Sequence, residues 1–125
     1  MAKDTKNFKV SEFACKCCGE NRIDQRVLDL AQAIRDELCV PVRVNSGYRC
    51  ATHNARVGGV KGSNHTKGLA ADLSCSLGAK ALYSAIQKLY KEGKIPMLGY
   101  CIRYATFCHV DVVKRKSGNI WEVRT

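Results

Sequence analysis

The chain contains no run of eighteen apolar residues, and its opening Met1-Ala2-Lys3-Asp4-Thr5-Lys6-Asn7 has none of the apolar core that a secretory leader requires. These absences exclude a membrane-spanning helix. They point to synthesis as a soluble cytoplasmic protein without a signal peptide and with no membrane partner. Internal repeats and low-complexity tracts are missing too, which removes solenoid architectures from consideration. Acidic residues are few: 11 Asp and Glu face 21 Lys and Arg, for a formal net charge of +10. That surplus favours a polyanionic partner, nucleic acid or an anionic cell wall, because a basic surface raises the local concentration of either. The basic residues are spread along the chain, densest at Lys114-Arg115-Lys116, and no aromatic-rich basic ladder that would stack bases accompanies them. No specific nucleic-acid partner is therefore expected. Histidine is scarce as well, with residues only at 53, 65 and 109, so an imidazole-based metal site has few ways to be built.

What is present suits one domain spanning residues 1–125, with 46% apolar and 26% charged residues, enough for a single core and too short for two. Phe8, Val10 and Phe13 depart from strict alternation and read as an extended arm laid on the domain; residues 1–20 form this arm together with a Cys-rich loop. Asp24 stands before a helix over Gln25 to Leu38, where Val27, Leu30, Ala31, Ile34 and Leu38 recur at helical spacing. Pro41 follows, and Val40, Val42 and Val44 alternate as in a half-buried strand. Asn54 to Val57 suits a helical turn, Ala70 to Ser74 a short buried strand, and Ala79 to Glu92 a second amphipathic helix after Gly78. Strands are expected over Met97 to Arg103 and Phe107 to Val113, with a further edge strand near Trp121. The predicted class is α+β: a small antiparallel sheet with helices packed on one face.

Eight cysteines, at 15, 17, 18, 39, 50, 75, 101 and 108, are many for this length. Without a secretory context they are expected as thiols or metal thiolates. Cys15, Cys17 and Cys18 crowd together, and a fourth thiol such as Cys50 would complete a tetrahedral set, although the spacing is not a standard zinc-finger pattern. A hairpin turning at Tyr104-Ala105 would place Cys101 opposite Cys108 on the packed side of the sheet.

The stretch Ser63-Asn64-His65-Thr66-Lys67-Gly68-Leu69-Ala70-Ala71-Asp72 sets an imidazole and a carboxylate seven residues apart across a glycine. Both are zinc ligands by type, and a catalytic zinc typically takes three protein ligands while keeping one position open. His109, in the strand-like run Phe107-Cys108-His109-Val110-Asp111-Val112, is the natural third. Gly68 allows close backbone approach, and the small apolar residues after it would hold Asp72 in a buried segment. Asp111 lies two residues after His109 and shares its face, so it is placed either to accept a proton or to orient the histidine. His53 lies outside this pattern and reads as structural or surface.

Together with Val44-Asn45-Ser46-Gly47-Tyr48-Arg49, Asn54 and Val57-Gly58-Gly59, these motifs resemble the zinc D-alanyl-D-alanine carboxypeptidase and peptidoglycan endopeptidase family, over Phe8 to about Val112. The resemblance implies a hedgehog/D,D-peptidase-like fold and hydrolysis of peptide bonds beside D-amino acids in peptidoglycan stem peptides. It implies one Zn²⁺ on His65, Asp72 and His109. It also gives Arg49 and Ser63 roles in binding the substrate or stabilising its oxyanion. In many relatives an acidic residue three positions before the last histidine serves as general base; here that position is Thr106, which cannot take a proton at neutral pH, and Asp111 is the nearest replacement. A monomeric wall hydrolase without a leader would act after release from the cell, as phage or prophage lysins do. Two rivals remain: a non-catalytic zinc-stabilised wall-binding module, favoured by Thr106, and a basic nucleic-acid-binding protein organised by cysteine-bound zinc.

Overall fold

Two amphipathic helices and five short strands form the frame of the computed structural model, which describes residues 2–116 and 118–125. Helix α1 runs Gln25–Leu38; the Asp24 carboxylate accepts the Arg26 N–H at its start, and Val27, Leu28, Leu30, Ala31 and Ile34 are buried along it. Strand β1 (Val42–Ser46), the short helix α2 (Ala51–Arg56), strand β2 (Ala70–Cys75) and helix α3 (Ala79–Lys91) follow. Strands β3 (Tyr100–Arg103), β4 (Cys108–Asp111) and β5 (Trp121–Val123) complete the order. Helix α2 is longer than the single turn expected and begins three residues earlier, because Cys50 caps it through a contact that hydropathy spacing does not reveal.

The sheet order is β1-β2-β4-β3-β5. The first four strands pair antiparallel as expected, but β5 lies parallel to β3, so the sheet is mixed. Apolar alternation indicates which side of a strand is buried and is silent on its direction. Here the strand is held in place by Trp121, which packs edge-on against both Tyr83 and Tyr90 of α3 at 5.8 Å between ring centres.

Side-chain alternation divides the sheet into two faces. Ala71 and Leu73 of β2, with Cys108 and Val110 of β4, join the hydrophobic cluster beneath α1 and α3. Asp72, His109 and Asp111 carry the opposite face. Their cross-strand positions follow from one register, in which Asp72 faces His109 and Ala70 faces Asp111. A one-residue slip of β4 would turn His109 and Asp111 towards the core and away from Asp72. At the β3–β4 hairpin Cys101 faces Val110 and Arg103 faces Cys108, because the Tyr104 N–H closes the turn on the Phe107 carbonyl. Cys101 and Cys108 are thus diagonal neighbours rather than direct partners, both fully buried on the side away from His109.

The N-terminal arm is not simply extended. Phe8 and Phe13 are buried, and Val10–Phe13 forms one turn of 3-10 helix. It docks where Gly47 leaves space: a Cβ there would lie 2.6 Å from the Phe13 carbonyl oxygen, and that oxygen accepts the Tyr48 N–H at 2.8 Å. Tyr48 itself packs in the interior.

Candidate metal centre

Residues Asn64–Lys67 form a second 3-10 turn that presents His65 to the polar face of the sheet. The Ser63 hydroxyl starts the turn by accepting the His65 N–H at 3.1 Å. Gly68 ends it at φ +72°, with a Cβ position only 1.9 Å from the Arg22 carbonyl oxygen, so any side chain would push the turn off the arm that follows the Cys-rich loop. His65 then lies beside Asp72 and His109, and the ligand atoms of all three fall within 4.8 Å of one another.

Each histidine has one ring nitrogen facing Asp72 and the other committed elsewhere. His65 Nε2 lies 3.2 Å from Asp72 Oδ1, while its Nδ1 donates to the Gly47 carbonyl at 2.8 Å. His109 Nδ1 lies 3.2 Å from the same oxygen, and its Nε2 donates to Asp111 Oδ2 at 3.1 Å. In a neutral ring each outer acceptor takes the remaining proton and leaves the inner nitrogen its lone pair, the state in which imidazole ligates a metal. Two imidazoles and one carboxylate converging in this way fit the donor set of a zinc ion.

The surroundings are strongly polarised. Burial alone would raise the Asp72 carboxyl, but the hydrogen bonds and charge of His109 and His65 hold it well below the usual carboxylate range. Burial would lower His109, yet Asp111 and Asp72 raise it to about 9. Asp111 is likewise held low against its burial, by His109 and by Arg115.

Arg49 anchors the outer oxygen of Asp72: Nη2 meets Asp72 Oδ2 at 3.1 Å, Nε donates to Ser46 Oγ at 3.0 Å and Nη1 to Asn54 Oδ1 at 3.2 Å. A bulge between Val44 and Ser46 brings Ser46 opposite Asp72 and makes this fan possible. Asp111, 1% exposed, is saturated. Its Oδ1 accepts from Arg115 Nη1 at 2.8 Å and the Val113 N–H at 3.2 Å, while Oδ2 also accepts from Arg115 Nη2 at 3.2 Å and Asn64 Nδ2 at 3.5 Å.

The fold therefore brings together His65, Asp72, His109, Arg49 and Asp111, with Ser63 beneath His65 as the cap of its turn. Thr106 sits exposed in the β3–β4 turn. Two contributors escaped sequence reasoning. Arg115 is a clamp on Asp111, and the only hint was its place four residues on, within a basic cluster. Asn54 stood in the motif without a role; it is buried, steadies Arg49 and holds the Gly-rich loop through the Val60 carbonyl at 2.9 Å. A hollow of about 510 Å³ opens beside Asn54, lined by Ala51, Ala55, Gly59, Lys61, Gly62 and Thr66.

In this small α+β domain two histidines and an aspartate converge on one sheet face as a set that could hold a metal ion. The sequence model of the Peptidase M15 family matches residues 6–111, which include every residue of that site except the Arg115 clamp, and the chain belongs to this family. Comparison with curated proteins finds no match. Among the described residues no helix is long and apolar enough to cross a membrane.

Proposed function

We propose that this peptidase is zinc-dependent and cleaves peptide bonds in bacterial peptidoglycan stem peptides, as a D,D-carboxypeptidase or an endopeptidase. The supporting observation is the convergence of His65 Nε2, Asp72 Oδ1 and His109 Nδ1, with the other nitrogen of each ring already bonded. A zinc ion held by these atoms would activate water and polarise the scissile carbonyl.

The chain's own groups do the positioning. Gly47 and Asp111 lock the two imidazoles. Arg49 holds Asp72 in the geometry of a ligand, and its guanidinium provides positive charge beside the metal position for a substrate carboxylate or a developing oxyanion. The hollow beside Asn54 lies one hydrogen bond from that guanidinium and is floored by small residues that admit a peptide backbone. Ser63 orients His65 and keeps its hydroxyl proton available as a donor.

Asp111 supports His109 and does not act as the base, because it contacts Nε2 on the side of the ring opposite the nitrogen that faces Asp72. A second reading draws on the same fact: with Thr106 at the usual acidic position and Asp111 saturated, a metal-stabilised wall-binding module that no longer cleaves also fits. The net charge of +10 suits an anionic wall reached after release, in a phage or prophage lysis setting. Binding should then be salt-sensitive, with no sequence-specific nucleic-acid partner.

Incubating the purified protein with peptidoglycan, with and without a chelator, and identifying newly freed termini separates the readings. Freed stem-peptide termini that vanish with chelator and return with zinc support the enzyme. Wall binding without freed termini supports the module and overturns the hydrolase.

A further inference from the structure

A second set of metal-ligating side chains lies outside this site and has no part in the peptidase chemistry. The Sγ atoms of Cys15, Cys18 and Cys50 are within 4.8 Å of one another, although Cys50 is 35 positions from Cys15. The loop Cys15-Lys16-Cys17-Cys18-Gly19 closes on itself, with the Gly19 N–H donating to the Cys15 carbonyl at 2.8 Å and the Cys15 N–H to the Glu20 carbonyl at 2.7 Å. The Cys50 N–H reaches Cys15 Sγ from the other segment at 3.4 Å. Cys50 caps α2, its own sulfur accepting the His53 N–H at 3.4 Å. Sulfur that accepts from an amide N–H, as Cys15 and Cys50 both do, is better matched as thiolate than as thiol, whose acceptor strength is weak.

We propose that Cys15, Cys18 and Cys50 hold a structural zinc ion as thiolates, with the fourth position filled by solvent or by a neighbouring donor, Cys17 or His53. Zn–S bonds of about 2.3 Å in a tetrahedron put sulfurs roughly 3.8 Å apart, within the spacing found here. A disulfide fits the arrangement less well. Three thiols in mutual reach leave one unpaired whichever two combine, and all eight cysteines are free in the structure. Cationic Arg56 lies alongside to offset thiolate charge, with Nη1 3.8 Å from Cys17 Sγ.

The ion would fasten the N-terminal arm to the head of α2. Between those anchors runs Gly47-Tyr48-Arg49, whose carbonyl at Gly47 fixes the His65 ring and whose guanidinium at Arg49 fixes Asp72. The thiolate site is thus a brace behind the other centre. It stands independently of the peptidase reading, since its ligands are a separate set.

The test is zinc-edge X-ray absorption and metal analysis on the full chain carrying His65→Ala with His109→Ala, loaded with Zn²⁺ alone. About one zinc per chain should remain, with sulfur neighbours at about 2.3 Å, and it should be lost when Cys15→Ser and Cys18→Ser are added. No retained zinc, or a shell of nitrogen and oxygen only, overturns the proposal. Because the histidine variant may not fold, the wild-type chain is also loaded with Co²⁺. An intense near-ultraviolet thiolate-to-cobalt band that disappears on alkylating the thiols supports the site, and its absence from folded, cobalt-loaded protein overturns it.

Discussion

His65, Asp72 and His109 come from a capped turn and two hydrogen-bonded neighbouring strands, whereas Cys15, Cys18 and Cys50 come from a loop and the start of a short helix. In the first set the ladder fixes the spacing, since Asp72 and His109 are cross-strand partners, and hydrogen bonds to Gly47 and Asp111 fix the rings. That centre is organised by protein alone. In the second set, convergence rests on two amide contacts to sulfur, so a metal bound there would contribute more of the order. A catalytic ion needs ligands already in place, while a structural ion can create the order it then depends on. Chelation should therefore loosen the arm around Cys15 while leaving the β2–β4 face intact.

The largest expected effect breaks the first centre at its middle. Asp72→Ala removes the carboxylate shared by both histidines and leaves the Arg49 guanidinium, 14% exposed, without its partner. Loss of zinc from this centre and roughly 3–5 kcal/mol of destabilisation are expected from stranding a buried charge. Metal analysis and denaturant unfolding measure both. Unchanged stability would mean that the strand register alone organises the face.

Next in size is Asp111→Asn. An orienting Asp111 predicts zinc affinity lower by about 10 to 100-fold, with hydrolysis recovered at excess zinc, because the His109 tautomer loses its fixed acceptor. A loss of about 100-fold in rate at saturating zinc would instead make Asp111 the base. Zinc titration followed by activity at each occupancy distinguishes the two.

A smaller effect is read in protons. In the metal-free chain His109 is raised to about 9, so its imidazolium stabilises the fold fully below the unfolded value near 6.5, and the contribution fades as pH rises through 9. Zinc must displace that proton. Calorimetry at pH 7 in buffers of different ionisation enthalpy should show release of about one proton at this centre, falling towards none above pH 9. The smallest effect is Ser63→Ala, which removes a cap and should cost about 1 kcal/mol in thermal unfolding while zinc stays bound.

Much of the first centre was legible because its logic is local. His65 and Asp72 stand seven positions apart across a glycine, and alternation alone put His109 and Asp111 on one face. The long helices were equally plain, since burial of one stripe leaves a periodic trace. What stayed hidden depends on where distant segments meet. The parallel placement of β5, the two-residue difference in hairpin register around Cys101, and the Arg115 clamp all follow from chain crossings that leave no mark in hydropathy. The Asp111 ambiguity could be narrowed only when its partner was known to be Nε2, the nitrogen turned away from Asp72.

The central claim, a zinc ion held by His65, Asp72 and His109, is tested most directly by anomalous diffraction at the zinc edge from crystals of protein that cleaves peptidoglycan. The expected peak lies about 2.0–2.2 Å from His65 Nε2, Asp72 Oδ1 and His109 Nδ1. Active crystals with zinc only at the cysteine cluster, or with no zinc at all, would contradict it.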